Sequence, residues 1–287
     1  MSLLLRVLAL LWLTCTADRG WAQQAVEVPS LDRPAGRTLM LPGHWFAAAG
    51  PARAPAMLLL HGCGGVFGSG GRLAQRYRDL AGRLNGTGVH VLVTDSLSPR
   101  NERELCTQRI GERAVTQLQR RRDALGALQW LAAQPGVDPA RIGMLGWSNG
   151  GSTVLAATNR RHPEVAAAAL APSLAVAFYP GCENELGAGY EASAPLLLLL
   201  GEADDWTPAA PCKALAALAR GQAVQVEAYA GASHGFDGAS PVRLRKDVPN
   251  GVNPGQGVHL GGNPAAREAS AARLDNFLRS QWRLDAR

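Results

Sequence analysis

Short apolar runs alternating with helix-like segments predict an α/β fold: a mostly parallel, twisted central sheet with helices on both faces. Three features carry this reading. Six apolar runs, at 56–61, 89–95, 141–147, 165–171, 195–201 and 224–230, have strand length. Several, such as Pro195 to Gly201, lack polar alternation, as parallel strands covered on both faces require. Helical patterns separate them, at 72–84, 112–134, 149–161 and 208–220, with Gly221 as a stop after the last.

Taken in order, the chain opens with Arg6, the apolar stretch Val7 to Cys15, and Gly20-Trp21-Ala22 with small residues where a signal peptidase reads. A cleaved signal peptide is expected over 1–22, and with it a periplasmic or secreted protein. The apolar stretch is shorter than the ~20 residues a bilayer span needs. Thr14 is a poor neighbour for a lipidated cysteine, so no stable membrane anchor is expected. Pro-rich residues 23–37 read as a loose N-terminal arm, and 38–287 as one domain without internal repeats. Asn263-Pro264, a cap followed by proline, leads into a terminal helix over 264–281. Before it, residues 238–262 are rich in Gly, Pro and Asn and carry Arg243, Arg245 and Lys246. A loop of that length is functional or mobile.

Composition narrows the function classes. The chain has 287 residues, 47% hydrophobic and 18% charged, an ordinary globular balance that excludes disordered and fibrous classes. Its net charge of +6 rests on arginine, since Lys213 and Lys246 are the only lysines. The densest run, Arg120-Arg121-Arg122, reads as the solvated face of a helix. No zinc-ligand spacing or aromatic–basic interleaving points to nucleic acid, and nothing supports a metal or other cofactor. Without Cys15, four cysteines remain: Cys63, Cys106, Cys182 and Cys212. An even count in an oxidising compartment predicts two disulfides, with three pairings open on arithmetic alone.

The chemistry concentrates at a G-x-S-x-G pattern, Gly146-Trp147-Ser148-Asn149-Gly150. In such a motif the serine sits on a sharp strand-to-helix turn, and the helix aims free N–H groups and its positive end at the reacting atoms. A second match, Gly231-Ala232-Ser233-His234-Gly235, runs into a stretch that cannot be helical, so Ser148 is the expected nucleophile. Partners are expected in loops leaving later strands, in the order serine, acid, histidine. His234 is the expected base. Glu202, Asp204 and Asp205 all occupy the preceding exit loop, with Asp204 favoured as the acid. The glycine-rich Leu60-His61-Gly62-Cys63-Gly64-Gly65 can present a backbone N–H to a developing oxyanion, from Cys63 or else Gly62, with Asn149 N–H as the second donor. The His61 ring is expected to tie down loops. Among the other histidines, only His259, in the long loop, invites a closer look.

These segments, with Asp95-Ser96-Leu97-Ser98-Pro99-Arg100 and His234-Gly235-Phe236-Asp237, resemble the dienelactone hydrolase family from about Thr38 onward. The resemblance implies an α/β-hydrolase fold, and its G-x-x-D spacing falls on Asp204. The family's namesakes carry a cysteine where this chain has Ser148, and a glutamate where it has His61. They hold a substrate carboxylate with two arginines. Arg100 matches one, whereas Gly238 follows Phe236-Asp237. The resemblance thus places Arg100 and Trp147 at the substrate, and implies hydrolysis of a small ester, a lactone or a polymer ester by a monomer or dimer. Through that fold's sheet order it also pairs Cys63 with Cys106 and Cys182 with Cys212, which would stiffen the oxyanion loop. A peptidase on the same scaffold, or a binding protein that kept the fold, are the competing expectations. An intact serine, acid and histidine weigh against the latter.

Overall fold

A computed structural model describes residues 23–50 and 52–284. The expected signal peptide lies outside the described residues. In chain order the strands are β1 (Gln23–Pro29), β2 (Met40–Phe46), β3 (Ala54–Leu60), β4 (His90–Thr94), β5 (Val137–Trp147), β6 (Leu174–Phe178), β7 (Glu191–Ala192), β8 (Leu196–Gly201), β9 (Arg220–Gly221), β10 (Val224–Tyr229), β11 (Arg243–Arg245) and β12 (Val258–Leu260). The helices are α1 (Gln75–Gly86), α2 (Gln117–Ala132), α3 (Asn149–Thr158), α4 (Pro163–Ala166), α5 (Glu183–Ala188), α6 (Ala209–Leu218) and α7 (Pro264–Trp282).

Eight strands form one sheet in the order β1-β2-β4-β3-β5-β6-β8-β10. The β1–β2 and β2–β4 pairs are antiparallel, and the others are parallel. The uninterrupted apolar runs have a direct cause. Side chains alternate across a strand, so Leu58 and Leu60 of β3 enter the core shared with α2 and α3, while Met57 and Leu59 enter the core on the opposite face with α1 and α7. Both faces are covered, so every position of β3 is buried.

Two expectations need correction. The stretch read as a loose arm begins with β1, hydrogen-bonded to β2 as the sheet's edge. Its side chains are mostly exposed, so no hydrophobic pattern announced it. The run at 165–171, read as a strand, starts at the end of the short helix α4; the strand is β6, several residues later. Pro163 at a helix start and an alanine-rich sequence favour the turn of helix there.

Capping is as the sequence implied at α7, where the Asn263 side chain accepts from Ala266 N–H at 3.1 Å. At α2, Thr116 and Gln119 form a capping box. The long segment 238–262 contains the β11–β12 hairpin and is anchored at both ends of the site. Gly261 N–H donates to the His234 carbonyl at 3.0 Å. Asn250 bonds Gln108 and Ile110 across the cleft.

The disulfides are Cys63–Cys106 and Cys182–Cys212, closing 43- and 30-residue separations. On the chain-entropy account, loops of this size contribute about 3–4 kcal/mol each. We therefore expect Cys182→Ala/Cys212→Ala to unfold at a clearly lower guanidinium concentration, with an equal or steeper slope because the freed unfolded chain exposes more surface. An unchanged midpoint would contradict that assignment of stability.

Candidate active site

Ser148 joins β5 to α3 with φ 53° and ψ −120°, a conformation that non-glycine residues rarely adopt. The glycines of the motif are required by close packing of backbone on backbone. A Cβ on Gly146 would lie 2.2 Å from the Gly150 carbonyl oxygen, and one on Gly150 would lie 2.1 Å from the Leu60 oxygen. Ser148 N–H donates to the Phe178 carbonyl of β6 at 2.9 Å, fixing the turn from the other side.

His234 follows β10 and is 2% exposed. Its Nε2 lies 2.9 Å from Ser148 Oγ, and its Nδ1 lies 2.8 Å from Asp204 Oδ2. With Nδ1–H donating to the carboxylate, Nε2 is free to accept from the hydroxyl. The ring lies between Tyr179 and Trp206, each with its centroid 4.6 Å away. Asp204 is itself held, because Oδ1 accepts from the N–H groups of Trp206 and Thr207, both at 2.9 Å. Thr207 Oγ1 sits 3.0 Å from Asp204 Oδ2 and 3.1 Å from His234 Nδ1. The two rival acids are engaged elsewhere. Asp205 binds His259, and Glu202 pairs with Lys213 at the surface.

The loop after β3 lies beside the serine: a Cβ on Gly62 would be 3.7 Å from Ser148 Cβ. Its geometry is fixed at several points. His61 Nδ1–H donates to the Gly62 carbonyl at 2.7 Å, and Nε2 accepts from Ser96 N–H. Burial, with Arg120 nearby, holds the His61 imidazole well below its ordinary pKa, so the ring is neutral and serves as a brace. The Cys63 carbonyl accepts from Leu105 N–H at 2.7 Å, and its sulfur is bonded to Cys106. Among the described residues, neither Cys63 N–H nor Asn149 N–H has an acceptor, and both belong to the surroundings of Ser148.

Two cavities meet at the serine. One, of about 360 Å³, is lined by His234, Gly235, Arg243 and Arg245 among others. The other, of about 600 Å³, is lined by Asn149, Val115, Leu118 and Val252 among others. Cys63, Ser148 and Trp206 border both.

Arg100 is not at the site. Its guanidinium donates to both carboxylate oxygens of Asp123, at 2.8 and 2.9 Å, and to Asp32 at 2.8 Å. A third acceptor, the Ser96 carbonyl, completes the fork. This ion cluster ties the turn at 98–100 to α2 and to the segment after β1, and the substrate contact implied by the resemblance is corrected. The Arg120–Arg122 run is corrected too. Arg121 and Arg122 pair with Glu164, but Arg120 is 1% exposed beneath the site. Trp147 does line the smaller cavity; its Nε1–H donates to Asp237 at 2.9 Å. Asp237 also accepts from the Tyr179 hydroxyl at 2.6 Å and from Arg76 at 3.1 Å. It thereby links the His234 loop to the residue before Ser148.

The sequence profile of the dienelactone hydrolase family matches residues 42–281. The chain belongs to the dienelactone hydrolase family. No curated protein matches it. Among solved structures, this dienelactone hydrolase family chain is similar in fold to a dienelactone hydrolase-like promiscuous phosphotriesterase from metagenomic libraries. That match has a TM-score of 0.63 and 19% identity, covering 91% of this chain and 99% of the other. It is also similar to an esterase of Thermogutta terrifontis with propionate bound (TM-score 0.58, 19% identity, 91% and 96% covered). The structure of Thermogutta terrifontis esterase 2 phosphorylated by paraoxon gives a TM-score of 0.60 at 17% identity, covering 92% and 96%.

Sequence reasoning passed over Thr207 and Tyr179, gave Asp237 no role beyond the family resemblance, and read Arg120 as solvated. Only the last left a signal: Arg120 continues the stripe of Ala124, Ala127, Leu128 and Leu131, which faces the core. Arg100→Gln would leave Asp123, itself 0% exposed, as an unpaired buried charge. We expect a loss of about 3–5 kcal/mol in stability and an unchanged ratio of kcat/KM between anionic and neutral esters. A selective loss of the anionic substrate would restore Arg100 to the binding site.

Proposed function

We propose that this chain hydrolyses carboxylic esters or lactones through an acyl-enzyme on Ser148. The observation that carries this is the continuous relay from Ser148 Oγ to His234 Nε2 at 2.9 Å and from His234 Nδ1 to Asp204 Oδ2 at 2.8 Å. As Oγ attacks the carbonyl carbon, Nε2 takes the hydroxyl proton. The carbonyl oxygen becomes an oxyanion facing the N–H groups of Cys63 and Asn149. When the carbon–oxygen bond to the alcohol breaks, the imidazolium returns the proton to the departing alkoxide. Water then repeats the sequence and releases the acid. Asp204 keeps the ring in the tautomer that accepts at Nε2 and stabilises the imidazolium.

The two cavities give the substrate a polarity. The departing oxygen must reach Nε2, so the alcohol part belongs in the cavity lined by His234, with Trp147 as one wall. The acyl part extends into the larger, partly apolar one beside Asn149. Because the cleft continues on both sides of Ser148, an ester within a longer molecule fits as well as a small one. The neighbours that act on or react with organophosphates support a serine accessible to tetrahedral phosphorus. The two disulfides and the export-like N-terminus support a periplasmic or secreted setting.

Hydrolysis of p-nitrophenyl acetate tests the reading. Ser148→Ala and His234→Ala should each lower kcat/KM by about 10³-fold or more, with unchanged circular dichroism. Wild-type activity should fall as the pH is lowered, because a protonated imidazole cannot accept the serine proton. Either variant turning over like wild type, or a flat profile from acid to neutral pH, would overturn the assignment.

A further inference from the structure

The chemistry just described makes no use of Arg120, yet this guanidinium is wholly buried directly behind it. Nη2 donates to the His61 carbonyl at 2.8 Å, and Nη1 donates to Asn149 Oδ1 at 2.6 Å. His61 precedes Cys63 by two residues on the loop leaving β3. Asn149 follows Ser148 at the start of α3. One planar fork therefore grips the two loops that carry the two proposed oxyanion donors.

Its charge is otherwise poorly compensated. Among the described residues no carboxylate is within ion-pairing distance of Arg120, and its Nε has no hydrogen-bond partner. Of the acids whose fields reach it, Asp123 is engaged by Arg100 and by the Ser30 hydroxyl, and Asp95 accepts from the N–H groups of Leu97 and Ser98 and from the Ser98 hydroxyl. Burial lowers the guanidinium pKa to about 10, so the group remains a cation at neutral pH. Burying a cation with no ion-pair partner costs stability that its two hydrogen bonds only partly offset. A need for fixed positive charge and fixed donor geometry accounts for an arginine here. The shape also matters: lysine offers a point charge, but only the guanidinium fork spans two acceptors on separate loops.

We propose that Arg120 is a positioning residue that holds the Cys63 and Asn149 N–H groups in register and sets a fixed positive charge beneath the oxyanion. It acts through two chains of contact. On one side it fixes the His61 carbonyl; His61 Nδ1–H in turn donates to the Gly62 carbonyl, which polarises the peptide whose N–H belongs to Cys63. On the other side it holds the Asn149 side chain, while Gln117, one turn earlier on α2, donates to the Asn149 carbonyl. A shift of about 1 Å at such donors costs roughly 10²-fold in rate, and removing one donor costs 10²–10³-fold.

The inference rests on the ester-hydrolase reading, which is checked first. If wild type neither turns over an ester nor reacts with a fluorophosphonate at Ser148, that reading fails and takes this proposal with it. With an active wild type, Arg120→Met, Arg120→Lys and Asn149→Ala are compared with wild type for kcat, KM, Tm and the Ki of a trifluoromethyl ketone that forms a tetrahedral oxyanion on Ser148. Arg120→Met is expected to lower kcat by about 10²-fold and raise Ki in parallel. KM should change less than about threefold, and Tm should change little, because relief of the buried cation offsets the donors lost to the His61 carbonyl and Asn149 Oδ1. Arg120→Lys should recover about tenfold of the lost kcat, and Asn149→Ala should add little in the Arg120→Met background. Wild-type kcat and Ki in Arg120→Met would overturn the proposal. So would a fall in Tm with KM and kcat changing together and no recovery by lysine. If Arg120→Met does not fold, Arg120→Lys decides alone: a kcat about tenfold down at unchanged KM and Tm supports the role, and wild-type kcat overturns it.

Discussion

Three pieces of backbone pass within touching distance at the turn around Ser148, and the rest of the molecule is arranged to keep them there. The ends of β3 and β5 and the first turn of α3 approach so closely that Gly146 and Gly150 have no room for a Cβ. Such contact forces the serine into a φ of 53°, a conformation that costs about 1–3 kcal/mol and survives only when its surroundings over-determine it. The parallel sheet, covered on both faces, supplies that constraint. What it gains is a hydroxyl at the apex of the turn, with the first N–H groups of a helix and the loop after β3 at its sides.

The imidazole depends on a second set of constraints that converge from separate strands. Asp204 leaves β8, His234 leaves β10, and Gly201 has no room for a Cβ because the Ala232 carbonyl presses on it. Tyr179 and Trp206 enclose the ring. Asp237 connects Trp147, Tyr179 and Arg76, which ties the His234 loop to the turn around Ser148. Segment 238–262 closes this arrangement from above, through Gly261 on the His234 carbonyl and His259 on Asp205. The same segment, through Asn250, reaches the loop tied by Cys63–Cys106. The proposed oxyanion loop is thus held by a disulfide on one side and a buried arginine on the other.

The parts that were legible in the sequence are those with a local signature. Ser148 and His234 stand in short motifs at the ends of apolar strands, and the buried core strands show as uninterrupted apolar runs. Asp204 could be favoured over Asp205 and Glu202 only by spacing; the structure separates them by what each carboxylate binds. The edge strand β1 was illegible because an exposed edge has no hydrophobic period. Arg100 and Arg120 were misread for a common reason. Whether an arginine faces solvent, substrate or a buried acceptor is decided by tertiary neighbours distant in the chain, here Asp32, Asp123, His61 and Asn149. For Arg120 the helical stripe carried a hint, but a charge on an apolar stripe reads equally as the stripe's end.

In the proposed reaction, burial and alignment make one hydroxyl, that of Ser148, nucleophilic. Mass spectrometry of the protein after brief exposure to paraoxon, with the modified peptide sequenced, tests it most directly. A single diethylphosphoryl group on Ser148, absent in His234→Ala over the same exposure, is expected. Modification at another serine, or no modification of wild type while an unrelated serine esterase in the same tube reacts fully, would contradict it.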